Sequence, residues 1–129
     1  MAQPGAWFDY LGYRFKRTVT RRRLIRVPRA KSMQKRREGL RSVTRRCNGQ
    51  SFDEIIRRVN TRLRGWFEYF KHSYPTVFEE VDGWVRMRLR SILRKRCRRK
   101  GRGRGDDHIR WPNACFTEHG LFSCVAACA

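Results

Sequence analysis

One stretch constrains this chain more than any other: FDEIIRRVNTRLRGWFEYF, residues 52–70. Ile55, Ile56, Val59, Leu63, Trp66, Phe67 and Phe70 recur at steps of three, four and one, which trace a single stripe down an α-helix. Arg57, Arg58, Arg62, Arg64 and Lys71 occupy the remaining face. Such a helix turns an aromatic stripe toward a core and a basic surface outward. Ser51 with Glu54 three residues later reads as a capping box that fixes where the helix begins. At about 1.5 Å per residue the rod is roughly 30 Å long, enough to be the spine of a small domain.

The flanking segments supply what such a spine packs against. Trp7 to Phe15 alternates, with Leu11, Tyr13 and Phe15 opposed by Gly12, Arg14 and Lys16, and reads as a strand. Arg22 to Val27 reads as a second, joined to the first through Lys16 to Arg21. A two-stranded hairpin alone is marginal in water and needs a surface to lie on. Pro28 closes it, and a helix is expected over 32–46. Met33, Leu40, Val43 and Cys47 mark its thin apolar face, and Gly39 inside it costs about 1 kcal/mol of helix stability. Asn48-Gly49 signals a turn. Thr76 and Glu79 predict a second capping box and a third helix over 77–98. Acidic residues crowd the start of that helix and basic residues its end, which suits the helix dipole.

The expected core is Ile55, Val59, Leu63, Trp66, Phe67, Phe70, Phe78, Val81, Trp84, Val85 and Leu89. GRGRG, residues 101–105, reads as a flexible joint. In the following WPNACFTEHGLF, Pro112 suits a first helical position, and Trp111, Phe116, Leu121 and Phe122 are expected to fold back onto the helices. The architecture is therefore expected to be mainly α. It comprises a β-hairpin over 1–28, a three-helix bundle over 29–100 and a small joint and tail over 101–129.

Charge then narrows the function. Among 129 residues, enough for one domain, 32 basic side chains face 11 acidic ones, a net of +21, with 26 Arg to 6 Lys. That balance calls for a polyanionic partner, and Arg suits phosphate forks and stacking on bases. The net charge is +13 over residues 1–50, +8 over 51–100 and zero over 101–129. A merely solvated surface would mix signs, so the binding surface is placed in the first hundred residues. Its candidate contacts are Arg36, Arg37, Arg41, Arg45, Arg57, Arg58, Arg62, Arg64, Lys71, Arg86, Arg90 and Arg94. Charge alone does not separate RNA from duplex DNA. Tyr13, Tyr69 and Tyr74 fall outside the apolar stripes and are candidates to stack on unpaired bases.

Catalytic chemistry finds no support. Asp106-Asp107 is the sole Asp-Asp pair, and beside GRGRG, with no apolar strand around it, it reads as a solvated loop. No nucleophile–base pairing or phosphate-cradling loop is evident. The five cysteines are irregularly spaced. Cys115, His119, Cys124 and Cys128, with His108 nearby, lack the paired two-residue knuckle of zinc modules, so no metal site is expected. There is no charged-then-apolar leader and no apolar run near 18 residues. A cytoplasmic protein with reduced thiols and no membrane partner is the simple expectation.

LRGWFEYF, Leu63 to Phe70, preceded by Val59-Asn60, resembles the maturase-specific domain of bacterial group II intron reverse transcriptases. So does WPNACFTEHGLF, with Cys115 standing where the family typically has an aromatic residue. FDYLGYRF, Phe8 to Phe15, resembles the last conserved block of the family's reverse-transcriptase palm. The resemblance runs over nearly the whole chain in the family's order. It implies an all-helical thumb, or X, domain that binds group II intron RNA and helps it reach its splicing-competent fold, while the RNA performs the transesterifications. It also implies no cofactor on this chain, any Mg²⁺ belonging to the folded RNA. The departures are equally specific: finger and palm domains with an aromatic-Ala-Asp-Asp motif are not represented, and Asp106-Asp107 lies on the wrong side of the thumb. No cysteine-paired endonuclease module is recognisable. The chain thus looks like the C-terminal portion of a maturase, truncated or split, and reverse transcription by it alone is not expected. Two further readings stand beside this one. The first is a basic protein that binds nucleic acid, DNA included, without specificity. The second is a thumb completed by a separate palm polypeptide.

Overall fold

The computed structural model describes residues 7–10, 13–17, 24–45, 49–97 and 105–128. Three strands come first: β1 (Trp7–Tyr10), β2 (Tyr13–Arg17) and β3 (Leu24–Pro28) form one antiparallel sheet in the order β1-β2-β3. The expected N-terminal β structure is present with one more strand than anticipated. The aromatic run read as a single strand folds on itself, pairing Trp7 with Lys16, Phe8 with Phe15 and Tyr10 with Tyr13. Expectations for residues 1–6, for Leu11 and Gly12, for the connection and strand start within 18–23, for Cys47 and the turn at Asn48, and for the helix end and joint over 98–104 lie outside the described residues.

Six helices follow among the described residues. α1 (Ala30–Val43) starts two residues earlier than expected, because Pro28 and the extended Arg29 end the strand together. α2 (Phe52–Phe70) has the expected bounds. The Ser51 Oγ accepts the Glu54 N–H at 3.2 Å, so half of the expected capping box forms. The other half does not: the Glu54 carboxylate takes Arg57 and Arg58 in place of the Ser51 N–H. α3 (Thr76–Arg96) corrects the second capping box outright. Its N-cap is Pro75, already in helical conformation and without a side-chain cap, and Thr76 lies inside the helix.

The core forms where the stripes of α1, α2 and α3 meet. Ile55, Val59, Leu63, Phe67, Phe70, Phe78, Val81, Val85 and Leu89 are buried, while Trp66 and Trp84 are only partly buried against them. The sheet lies on the C-terminal end of α2. The Tyr13 ring meets Phe70 edge-on at 5.0 Å, and its hydroxyl donates to the Tyr69 carbonyl at 2.8 Å. The Tyr74 N–H donates to the Arg26 carbonyl at 2.7 Å, fastening β3 to the α2–α3 connection.

The tail folds back through α4 (Gly105–Arg110), α5 (Asn113–Glu118) and α6 (Cys124–Cys128). Pro112 caps α5 from outside rather than occupying its first turn. Phe116 enters the core, with Trp111, Leu121 and Phe122 against its edge. Just past the His119 cap of α5 stands Gly120, whose φ of 84° is the left-handed conformation that glycine adopts without strain. The Leu121 N–H then reaches the Phe116 carbonyl and the Gly120 N–H reaches Thr117, the closing pattern of a Schellman motif. Polar clamps hold this return. Asn60 on α2 donates to the Gly120 carbonyl at 2.8 Å and accepts the Phe122 N–H at 2.7 Å. Asp82 on α3, only 4% exposed, accepts from the Ser123 hydroxyl and from the N–H groups of Cys124 and Val125, so it caps α6.

Asp107 is a further correction. It sits on α4, fully buried, with its carboxylate 2.9 Å from Arg94, and is no solvated loop residue. A buried carboxylate needs a cation, and the crowd of basic residues at the end of α3 supplies one.

Candidate nucleic-acid interface

α1 and α2 pack side by side and leave a groove of about 590 Å³ between them. Lys35, Arg36, Gly39 and Leu40 from α1 line one wall, and Arg57, Arg58, Thr61, Arg62, Gly65 and Trp66 from α2 line the other. Two glycines shape the walls of the groove. A Cβ at Gly39 would stand 3.2 Å from an Arg62 terminal nitrogen, so the glycine lets that guanidinium lie across α1. At Gly65 a Cβ would meet nothing within 4 Å, and the groove is open there. A second hollow of about 620 Å³ adjoins it, lined by Arg29, Lys31, Ser32, Lys35, Trp66, Tyr69 and Phe70. Lys35 and Trp66 belong to both, so the two hollows form one basic channel with an aromatic floor.

Charge in this channel is weakly neutralised. Glu54 holds Arg57 and Arg58, and those hydrogen bonds keep its carboxyl down at about 2. Arg29, Lys31, Lys35 and Arg62 form no ion pair among the described residues. Arg36 lies at the bottom, 6% exposed, its guanidinium over the rings of Trp66 and Trp84. None of its three nitrogens, nor the Trp66 indole nitrogen, has a hydrogen-bond partner among the described residues. Burial, helped by neighbouring Arg37, pushes the Arg36 guanidinium down to about 10, so it stays cationic at neutral pH.

The other sequence-identified basic residues divide by position. Arg41 on α1, Arg45 just beyond its end, and Arg57, Arg58, Arg62 and Arg64 on α2 are exposed. Arg37 is partly exposed and pairs with Glu80 at 3.1 Å, and Lys71 pairs with Glu68 at 3.5 Å. Arg86 is partly buried on α3. Three residues correct the expectation of an exposed basic face. Arg36 is buried as described; Arg90, 2% exposed, donates to the Trp111 carbonyl at 2.9 Å and to the Asn113 side chain at 2.8 Å. Arg94 is turned inward to Asp107. Arg90 and Arg94 therefore fasten the tail to α3, because carbonyls and a carboxylate in that seam would otherwise be buried without donors. The sequence signal for Arg36 was available: it fills the gap in the stripe Met33, Leu40, Val43, at helical spacing.

Arg29, Lys31 and Lys35 line the channel but were not singled out from sequence; their shared face becomes visible only once α1 is seen to start at Ala30. Of the three tyrosines, Tyr69 and Tyr74 are exposed, at 58% and 47%, whereas Tyr13 is spent on holding the sheet to α2. No three His, Cys, Asp or Glu side chains gather into a metal-holding group among the described residues. No helix among them is long and apolar enough to cross a membrane.

The family model for the group II intron, maturase-specific domain matches residues 33–111. No curated protein matches the chain. The matched span takes in nearly all of α1, the whole of α2 and α3, and α4, and so carries both walls of the main groove. With more than half of its length matched, this chain belongs to the group II intron maturase-specific domain family.

Proposed function

We propose that this chain binds group II intron RNA and stabilises its splicing-competent fold, acting as a binding module while the RNA performs the chemistry. The observation that carries the reading is the channel between α1 and α2. It gathers cations from both helices, leaves Arg29, Lys31, Lys35 and Arg62 without acidic partners among the described residues, and lies mainly within the matched family span. A compact RNA brings phosphates close together, and a rigid cationic surface that fits the compact state shifts the population toward it. A bundle whose tail is bound back by Asn60, Asp82, Arg90 and Arg94 presents that surface with little ordering cost.

The test is splicing of an intron-bearing transcript at a Mg²⁺ concentration too low for efficient self-splicing. Added chain is expected to raise the spliced product at least about tenfold, equivalent to about 1.4 kcal/mol of preferential binding to the active fold. Product unchanged across the protein titration, with binding intact, would overturn the proposal.

A further inference from the structure

The channel has a second property that net charge does not explain: its polar lining consists almost wholly of hydrogen-bond donors. The side chains of Lys35, Arg57, Arg58 and Arg62, of buried Arg36 and of partly buried Trp66 can only donate. Four of those donors, the three Arg36 nitrogens and the Trp66 indole nitrogen, are buried without an acceptor among the described residues. The protein itself covers those four, so the donors an occupant meets are the exposed Lys35, Arg57, Arg58 and Arg62, which favour a ligand rich in acceptors. Beside the donors lie flat or apolar surfaces, namely Leu40, the Trp66 ring and exposed Tyr69.

A duplex keeps its base faces stacked inside and offers only backbone to a groove of this size. An unpaired nucleotide offers a phosphate, a free base face and the acceptor atoms of the base edge together. Each hollow, near 600 Å³, is of the size that encloses a small ligand.

We infer that the joined hollows between α1 and α2 hold an unpaired stretch of RNA about two nucleotides long, its phosphates on Lys35, Arg58 and Arg62 and its bases against Trp66 and Tyr69. This rests on the reading that the chain binds RNA and narrows it from RNA in general to a single-stranded element. Two nucleotides follow from two hollows that share Lys35 and Trp66.

Gly65 provides the test. It is exposed, lines the groove and faces open space, so Gly65→Leu inserts a side chain without altering charge. In a helix interior that change also removes a glycine, which favours the fold. The full chain is titrated near physiological salt with a fluorescent, unstructured ten-nucleotide RNA and, separately, with a ten-base-pair RNA duplex. Gly65→Leu is expected to weaken the single strand at least about tenfold and to leave the duplex within about twofold. If Gly65→Leu loses its circular dichroism, Thr61→Leu reads the same contrast from an exposed, uncharged position in the groove. Equal weakening of both probes, or no weakening of the single strand, would overturn the inference. So would displacement of the single strand by an acidic peptide of equal charge as readily as by unlabelled RNA. The probes carry no intron sequence, so a chain that fails to stimulate splicing sinks the intron reading and leaves this result to stand or fall separately.

Discussion

The Arg36 guanidinium carbon lies 5.4 Å from the centroid of the Trp66 ring and 5.8 Å from that of Trp84, joining all three main helices in one contact. The aromatic faces compensate part of the cost of burying the charge, but they accept no conventional hydrogen bonds from it. A charge in that setting adds little to the fold, and it acts on a ligand through the positive field it lends the channel rather than by direct contact. Arg36→Met should therefore unfold in urea within about 1 kcal/mol of the parent, or above it, because an apolar side chain of similar length removes an uncompensated burial. The same variant should bind RNA at least about fivefold more weakly, roughly 1 kcal/mol. Large destabilisation with unchanged binding would make Arg36 a structural pin.

Asp82 is the fold's hidden joint. It holds Ser123, Cys124 and Val125 with three hydrogen bonds of 2.7 to 3.2 Å. Asp82→Ala leaves two N–H groups without that acceptor and should cost about 2–3 kcal/mol by chemical denaturation. Limited proteolysis should then cut the tail near residue 123 before the bundle, and a parent-like digestion pattern would refute the clamp.

The thiols should separate by reactivity. Burial, reinforced by the nearby Asp82 carboxylate, pushes Cys124 up to about 12, whereas Cys97 and Cys128 are exposed. At pH 8 the Cys124 thiolate fraction is then about one part in ten thousand. Brief alkylation of the native chain, read by mass spectrometry, should label Cys97 and Cys128 and spare Cys124 until denaturant is added.

Acid should act on the start of α2. Arg57 and Arg58 hold the Glu54 carboxyl at about 2, below its ordinary 4.5. A group depressed in the folded state contributes stability that is complete above its unfolded value and is lost as pH falls toward the folded one. Glu54→Gln should thus be less stable than the parent at pH 7, and the gap should close between pH 4.5 and 2. The gap should also shrink with added salt, since the arginines are exposed. An equal gap at both ends of that range would discard the pairing as its cause.

Much of this was legible in the order of residues. α2 is bounded in sequence by a cap it uses and by a stripe it buries, because its periodicity and its packing agree. What escaped was polar and non-local. Asp82 looked like a residue suited to the positive end of α3, yet it lies four residues after Phe78 and three before Val85, on the edge of the buried stripe. Its partners are more than forty positions away. Arg90 was misplaced for the same reason: helical spacing says which face a side chain occupies, not what arrives opposite it, while Asp107 was misplaced because its glycine-rich neighbourhood hid the short helix α4. The channel itself depends on how α1 packs beside α2, and no local pattern states that.

The central claim, that this surface recognises intron RNA, is tested most directly by competition binding across a salt series. Folded group II intron RNA in Mg²⁺ would compete against a non-intron RNA of equal length and against duplex DNA. Salt matters because counterion release makes any polycation look tight when ions are scarce. The account predicts that near physiological salt the intron is preferred by at least about a hundredfold, roughly 2.7 kcal/mol, and that Arg62→Ala erodes the preference while the circular dichroism stays parental. Equal binding of all three competitors, falling together as salt rises, would contradict it.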